Sequence, residues 1–361
     1  MLYYLLLPLR DLLSGLNLFR YITFRAAWAA ITALIISLFV GPYIIRKLQA
    51  LQIGEEIRSD GPQSHLKKAG TPTMGGLIIL ASVIIPTLLW AKIDNIYVIL
   101  ILFATIWMGA VGFVDDYLKV VKKMPKGLVA KYKILGQITL GLIVGSVLYF
   151  APQFEGIRTL STVPFFKHYE IEFGIFYIPM VIFVITATSN SVNLTDGLDG
   201  LAIGLVGISA VAWAAIAYVS GRVDFSDYLN IIYLPGAGEL TIYCAALVGA
   251  SLGFLYYNSF PALVFMGDVG SLALGSALGT LAILLKKELW LVIIGGVFAA
   301  ETVSVIIQVT YYKYTKKRFF RMAPIHHHFE LLGWEEPRVV VRFWIVAILL
   351  ALFSLSTFKI R

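Results

Sequence analysis

Two adjacent aspartates at the end of an apolar run are the first residues whose types suggest chemistry. Asp115 and Asp116 close a stretch long enough to form a helix. Like charges this close repel each other, and the dipole at a helix C-terminus also disfavours anions. A solvated helix end would more naturally carry Lys or Arg. The pair therefore indicates a metal or substrate site, and the alternative is a surface pair that the following lysines neutralise.

A second set of polar side chains recurs at every third residue between two apolar runs. Its members are Asn190, Asn193, Asp196 and Asp199. A step of three residues turns a helix position by roughly −60°, so neighbouring members lie close together but all four cannot share one stripe. Gly197 and Gly200 would let the backbone break or approach a ligand closely. The alternative is capping of the next helix by Thr195 or Asp196, which explains one residue rather than four.

A single aspartate, Asp268, lies between glycines at the start of a later apolar run. This pattern predicts an N-cap or a ligand-binding position. The two are compatible, because a helix N-terminus attracts phosphate.

Three consecutive histidines, His326, His327 and His328, follow Arg321. Adjacent histidines cannot easily all reach one ion, and without a cysteine partner a zinc site is not expected. Near neutral pH they can donate to phosphate or move protons, so we interpret them as an anion site. Glu301 is the one ionisable residue well inside an apolar run, where such a group has either a hydrogen-bond partner or a function.

The composition sets the class of protein that must position these groups. The chain has 361 residues, of which 59% are hydrophobic and 14% charged, whereas a soluble chain has about 25% charged residues. This composition excludes a set of soluble domains and predicts a polytopic membrane protein. The net charge of +8 favours phosphorylated substrates or lipid head groups over nucleic acid. The single cysteine, Cys244, provides neither a disulfide nor a thiolate metal site.

Ten apolar runs are predicted to be transmembrane helices, each needing about 20 residues. They lie near residues 26–46, 74–91, 96–114, 132–150, 174–190, 198–219, 239–257, 269–285, 289–312 and 339–357. We expect one all-α transmembrane domain over residues 1–361, with its active-site groups in the loops. The Leu-rich stretch from Leu2 to Phe19 lacks the features of a signal peptide and is interpreted as an interfacial segment.

The distribution of Lys and Arg orients these runs. Basic residues concentrate in the loops after the first, third and ninth runs, and such loops face the cytoplasm. Both termini are then expected on the outer side. The aspartate, asparagine and histidine motifs follow the third, fifth, seventh and ninth runs. These are odd-numbered loops, on the same side as the basic ones, so their side chains should meet on the cytoplasmic face. Aspartates without cysteines, near lysines and histidines, suit Mg²⁺ and phosphoryl transfer.

Taken together, five motifs closely resemble the phospho-N-acetylmuramoyl-pentapeptide transferase family, over nearly the whole chain. They are residues 71–76, Asp115-Asp116, residues 193–200, residues 266–271 and residues 322–328. The aspartate motifs are shared with the wider polyprenyl-phosphate N-acetylhexosamine-1-phosphate transferase superfamily, whereas the triple-histidine segment is more specific. The resemblance implies transfer of phospho-N-acetylmuramoyl-pentapeptide from its UDP conjugate to undecaprenyl phosphate, giving lipid I and UMP with Mg²⁺. It also implies a homodimer in the bacterial cytoplasmic membrane.

The resemblance also implies roles for individual residues. Asp268 is the expected metal ligand, and Asp115, Asp116, Asp268 and His326 are the expected catalytic residues. Lys119 and Lys133 are expected near the diphosphate. The residues expected to line the nucleoside site, with the aromatic ring stacking on uracil, are Lys68, Thr73, Asn190, Asn193, Asp196, Asp199, Phe265, Gln308, His326 and His327.

Several alternatives stay open at the level of sequence. A sister transferase that uses UDP-N-acetylglucosamine would need the same aspartates. A transporter or flippase is disfavoured, because transporters place polar sites near the bilayer midplane within repeated halves, and no repeat is visible. Direct attack and a two-step route through an aspartyl intermediate are both compatible with the motifs. We predict that Asp115 positions a metal or a lysine rather than removing a proton.

Overall fold

The computed structural model describes residues 1–11, 13–51, 70–124, 127–166 and 169–360. Helices account for most of this part of the chain, and the sheet found there is a single antiparallel pair of short strands. The predicted class, an all-α polytopic membrane protein, is confirmed.

The helices are numbered in chain order. They are α1 (Leu2–Leu6), α2 (Ile22–Ala50), α3 (Gly76–Trp90), α4 (Ile96–Val120), α5 (Ala130–Phe150), α6 (Tyr177–Thr195), α7 (Leu201–Ser220), α8 (Val223–Leu229), α9 (Leu240–Asn258), α10 (Gly267–Leu284), α11 (Glu288–Ile294), α12 (Gly296–Thr315), α13 (Ile325–Glu330) and α14 (Glu336–Ile360). The strands are β1 (Leu160–Thr162) and β2 (Glu170–Glu172). Short 3₁₀ turns occur at Leu7–Asp11, Ser14–Arg20, Pro152–Phe154, Gly174–Phe176 and Ala237–Glu239.

Eight helical segments of the described chain are long and apolar enough to cross a membrane. They contain α2, α4, α5, α6, α7, α9, α10 and α14. Helix α3 is apolar but has only 15 residues. Every predicted run overlaps a helix, and the run 289–312 contains two of them, α11 and α12, which meet at an angle of 85°. Gly295 and Gly296 at this break lower the local helix propensity. Ten crossings and outer termini stay predictions.

Helix α10 occupies the centre of the bundle and packs against α3, α4 and α6. All its residues from Val269 to Leu284 are buried. Glycines permit the closest approaches: a Cβ atom on Gly76 of α3 would lie 2.2 Å from the Gly270 nitrogen, and one on Gly112 of α4 would lie 2.1 Å from the Asp268 carbonyl oxygen. Small residues at helix contacts let backbones come together in this way. The C-terminal end of α4 is therefore held against the first turn of α10.

The hairpin of β1 and β2 contacts the chain just after the opposite end of α10. The sequence analysis did not predict this hairpin. The backbone nitrogen and the hydroxyl of Thr162 both donate to the Lys286 carbonyl oxygen, at 3.2 and 2.8 Å. The Lys286 ammonium donates to the Tyr177 hydroxyl at 2.6 Å and to the Arg158 carbonyl oxygen at 2.8 Å. Burial lowers the pKa of Lys286 to about 8.

A buried ion pair joins α2 to the turn before α9. Arg25 donates two hydrogen bonds of 2.7 Å to the two carboxylate oxygens of Glu239. The same guanidinium donates to the Trp90 carbonyl oxygen at 3.0 Å, and the Lys92 backbone nitrogen donates to Glu239 at 2.9 Å. Both charged side chains are almost fully buried, so α2, α3 and α9 are fixed to one another at this end.

Candidate active site

Three carboxylates from two helices converge at one end of the bundle. Asp115 and Asp116 lie in the last turns of α4, and Asp268 lies in the first turn of α10. One oxygen of each lies within 4.8 Å of the others, an arrangement that can hold a metal ion. The alternative of a surface aspartate pair is wrong, because Asp115 and Asp116 are only 0% and 3% exposed.

Two lysines connect Asp115 and Asp268. The Lys133 ammonium lies 2.9 Å from Asp115 Oδ2 and 2.6 Å from Asp268 Oδ2. The Lys119 ammonium lies 2.5 and 2.9 Å from the same two oxygens. Charge therefore alternates around a closed ring of four side chains, in which each carboxylate oxygen accepts from both ammonium groups. With Asp116 included, the cluster has one carboxylate more than it has ammonium groups.

Asp116 acts as the N-terminal cap of α10. Its carboxylate accepts hydrogen bonds from the backbone nitrogens of Asp268 at 3.2 Å and Val269 at 3.0 Å. A negative charge at this position stabilises the helix through its unpaired N–H groups and its dipole. Gly267 has a φ of +72°, and a Cβ atom there would lie 2.5 Å from Asp116 Oδ2. The prediction that Asp268 itself is an N-cap is wrong, because α10 has no cap from its own side chains and Asp116 supplies it.

Asn193, in the polar segment at the end of α6, reaches the cluster. Asn193 donates to Asp268 Oδ1 at 2.6 Å and to the Ser271 hydroxyl at 2.8 Å. Asn190, one turn earlier, instead donates to Gln137 of α5 at 3.0 Å. Sequence reasoning did not identify Ser271 or Gln137 as neighbours of these residues. Ser271 follows Asp268 by three positions on the same helix, and that spacing was the available signal.

The capping alternative for Thr195 and Asp196 is also wrong. The N-cap of α7 is Gly200, in the left-handed conformation with a φ of +78°, and no side chain caps it. The Thr195 hydroxyl donates to the Ser191 carbonyl oxygen within α6. Asp196 is the C-cap residue that follows α6. Its predicted contact with substrate stays a prediction.

Hydrogen bonds connect the loops beside the carboxylates that carry Asp199, Phe265 and Thr73. Asp199 Oδ2 accepts a hydrogen bond from the Ala262 backbone nitrogen at 3.0 Å, which fixes the loop that carries Phe265. The Phe265 nitrogen donates to the Pro72 carbonyl oxygen, and the Phe265 carbonyl accepts from Gly75, both at 2.8 Å. This pairing holds buried Thr73 next to Gly267.

The three histidines point to three different partners. His326 Nδ1 lies 3.2 Å from Glu301 Oε2. His327 Nδ1 lies 2.7 Å from Glu330 Oε2. His328 Nδ1 accepts from the Arg321 backbone nitrogen at 3.2 Å. The three Nδ1 atoms therefore have three separate partners.

Glycine brings two of the sequence motifs into contact. A Cβ atom on Gly197 would lie 2.4 Å from His326 Nε2, so the absence of a side chain at 197 makes room for the imidazole. Gln308 of α12 accepts hydrogen bonds from the backbone nitrogens of Phe319 and Phe320 at 3.1 and 2.8 Å. Lys68, which was predicted to bind substrate, lies outside the described residues.

Comparisons with known proteins identify the family of this chain. The profile of glycosyl transferase family 4 matches residues 98–286, and signature 1 of the phospho-N-acetylmuramoyl-pentapeptide-transferases matches residues 68–80. Proteins named phospho-N-acetylmuramoyl-pentapeptide-transferase from Citrifermentans bemidjiense and from Geobacter sp. strain M21 are each 56% identical to this chain over 361 residues. One of the same name from Thermodesulfovibrio yellowstonii is 52% identical over 362 residues. These alignments cover 100% of this chain and 100% of each relative. The chain therefore belongs to the phospho-N-acetylmuramoyl-pentapeptide-transferase family.

Proposed function

We propose that this chain transfers phospho-N-acetylmuramoyl-pentapeptide from its UDP conjugate to undecaprenyl phosphate, releasing UMP and forming lipid I for peptidoglycan synthesis. The observation that carries the proposal is the ring in which Lys119 and Lys133 connect Asp115 to Asp268. It lies within a chain whose full-length relatives have a name that describes this transfer. Phosphoryl transfer depends mainly on positioning and charge stabilisation, and this cluster of opposite charges is suited to both.

We assign Mg²⁺ as the cofactor. The carboxylate oxygens of Asp115, Asp116 and Asp268 are hard donors, and the cluster has an excess negative charge. Mg²⁺ typically takes one or two carboxylates together with substrate phosphates. Asp268 is the proposed ligand, as the family resemblance implies. Bound Mg²⁺ would neutralise developing charge on the transferred phosphoryl group.

The lysines are proposed to carry the diphosphate, and Asp115 is proposed to position them. Its carboxylate accepts from both ammonium groups and from the Leu128 backbone nitrogen at 2.6 Å. A phosphate monoester has a second pKa of about 6, so undecaprenyl phosphate needs little help to lose a proton at neutral pH. A pH–rate profile of Asp115→Asn tests this role. Activity that returned steeply as the pH rose would identify Asp115 as a base instead.

The nucleoside is proposed to bind beside this cluster, with Phe265 stacking on uracil. Support comes from the hydrogen bonds that connect the loops of Asp199, Thr73 and Phe265, and from the packing of His326 against Gly197. The other residues assigned to this site are Lys68, Asn190, Asn193, Asp196, Gln308 and His327.

We propose that the protein is a homodimer in the bacterial cytoplasmic membrane, as the family resemblance implies, and that this site faces the cytoplasm. The basic loops support that orientation. Labelling of single-cysteine variants in intact cells tests it. Labelling of positions 123 and 332 from the outside would contradict it.

The decisive experiment measures UMP release by the full chain in detergent. We expect release to require Mg²⁺, undecaprenyl phosphate and UDP-N-acetylmuramoyl-pentapeptide together. Turnover of UDP-N-acetylglucosamine in its place would identify a sister transferase. Movement of a lipid-linked sugar across vesicles without UMP release would identify a transporter. Trapping of a phosphosugar–enzyme adduct would distinguish the two-step route from direct attack.

A further inference from the structure

Glu301 is a buried carboxylate to which the proposed transfer gives no part. It lies in the second turn of α12 and is 0% exposed. Its neighbour is the imidazole of His326, which is also 0% exposed and comes from the short helix α13. Glu301 Oε2 lies 3.2 Å from His326 Nδ1. A charged group buried within a membrane protein is costly, and it persists where it has a partner or a function.

The two sides of the imidazole meet different groups. Nδ1 faces the Glu301 carboxylate, whereas Nε2 faces Gly197 in the polar segment between α6 and α7. The Nδ1–Oε2 approach is within ion-pair range but is not aligned as a hydrogen bond. Neither ring nitrogen of His326 forms a hydrogen bond with another residue of the described chain. The ring is thus held between an acceptor on one side and the candidate nucleotide site on the other.

We propose that Glu301 is a positioning residue for His326. The negative charge of the carboxylate, 3.2 Å away, favours the proton on Nδ1. It thereby selects that tautomer and leaves Nε2 unprotonated toward the segment that contains Gly197. A carboxylate acting on the far nitrogen of a histidine commonly fixes both tautomer and ring orientation. Nε2 is then available to a polar group of the nucleotide substrate. This inference rests on the proposed function, because that function assigns His326 to the substrate site.

A hydrogen bond from the neighbouring Thr302 connects α12 to α6, and a second one lies within α12. The Thr302 hydroxyl donates to the Ser191 hydroxyl of α6 at 2.8 Å. The Ser304 hydroxyl donates to the main-chain oxygen of Glu301 at 2.6 Å. Neither contact uses the carboxylate. Replacing the carboxylate should therefore disturb the imidazole more than it disturbs the helix.

The test compares Glu301→Leu, which removes the acceptor, with Glu301→Gln, which keeps one acceptor oxygen at similar size. Ser304→Ala, on the same helix, is the matched structural control. We expect Glu301→Leu to lower kcat/KM for UMP release by about 10- to 100-fold, the usual cost of losing such an orienting group. Glu301→Gln should lose less, and Ser304→Ala should keep wild-type activity. Thermal unfolding in detergent identifies variants that do not fold.

A double-mutant cycle separates positioning from a general structural role. If Glu301 acts through His326, the pair Glu301→Leu and His326→Ala costs no more than His326→Ala alone. Additive losses would overturn the proposal. If Glu301→Leu does not fold, the same cycle with Glu301→Gln gives the answer.

A spectroscopic measurement is independent of turnover. The sequence has five histidines, so ¹⁵N spectra of histidine-labelled full-length protein in detergent can be assigned with His326→Ala. We expect the Nδ1–H tautomer of His326 in the wild type and a mixture in Glu301→Leu. An unchanged tautomer would refute the proposal. If Glu301→Leu changes the tautomer but the wild-type protein releases no UMP, the proposed function is refuted and the role of Glu301 stands.

Discussion

Substitution of Gly112 by alanine should displace the site without changing any of its charged groups. The new Cβ atom would lie 2.1 Å from the Asp268 carbonyl oxygen, a distance at which backbone must move, because real Cβ contacts essentially never fall below 3.0 Å. Helix α4 or the first turn of α10 must therefore shift by about 0.9 Å, the difference between these distances. A displacement of about 1 Å at reacting groups can cost 10²-fold in rate. We expect a loss of about that size in kcat.

Gly109→Ala, one turn earlier on α4, is the matched control. Its Cβ would meet Leu80 Cδ1 at 2.7 Å, which is the movable end of a flexible side chain. Both substitutions add the same methyl group to the same helix, so they change helix propensity equally. Only Gly112→Ala presses on the backbone that carries Asp268. We therefore expect near-wild-type turnover for Gly109→Ala.

The assay is UMP release at saturating substrates, with Mn²⁺ binding followed by electron paramagnetic resonance as a second measurement. Overpacking typically costs about 1–3 kcal/mol, so thermal unfolding in detergent must show that Gly112→Ala is folded at the assay temperature. We expect weaker Mn²⁺ binding in Gly112→Ala than in Gly109→Ala. Equal turnover and equal Mn²⁺ binding in the two variants would refute the idea that the close contact of α4 with α10 sets the position of Asp268.

Three further predictions concern charged groups. Asp116→Asn removes a charge that accepts two hydrogen bonds at the start of α10. Because hydrogen bonds to charged groups contribute about 1.5–3 kcal/mol, we expect a lower unfolding temperature and weaker Mn²⁺ binding at Asp268. An unchanged unfolding temperature would contradict the capping role. Arg25→Met leaves buried Glu239 without its cation, which should cost about 3–5 kcal/mol, and adding Glu239→Leu should restore much of the loss in thermal unfolding. Burial lowers the pKa of Lys286 to about 8. Between pH 8 and the ordinary lysine pKa of 10.5, the unfolded chain binds more protons than the folded chain, so stability should rise with pH. Lys286→Met should abolish this rise, measured as the unfolding temperature across that range.

Much of the architecture could be predicted from the sequence, because lipid imposes a strong requirement on it. Backbone groups within the bilayer must be satisfied internally, so long apolar runs form helices. The bend between α11 and α12 was not predicted, since hydropathy does not report direction. Strands β1 and β2 have three residues each and fall below the length at which alternation can be recognised.

The convergence of the aspartates could also be predicted, but their separate tasks could not. The order of apolar runs placed Asp115, Asp116 and Asp268 at one end of the bundle. Which carboxylate caps α10 depends on a partner about 150 positions away in the chain, and no local pattern records that contact. For the same reason no pattern near Gly197, which was expected to break the backbone or approach a ligand closely, predicted that it makes room for His326.

The central place of α10 has a consequence for how the protein is made. Its apolar window has the lowest hydropathy of the eight candidate spans, yet it is the most completely buried. Insertion into a bilayer depends on the hydropathy of each segment as it leaves the ribosome, and α10 leaves after α3, α4 and α6. Its serines and glycines gain from those earlier helices the contacts that lipid tails cannot offer. Biogenesis therefore has to keep a groove open among early helices until α10 arrives, and the acidic cluster exists only from that moment.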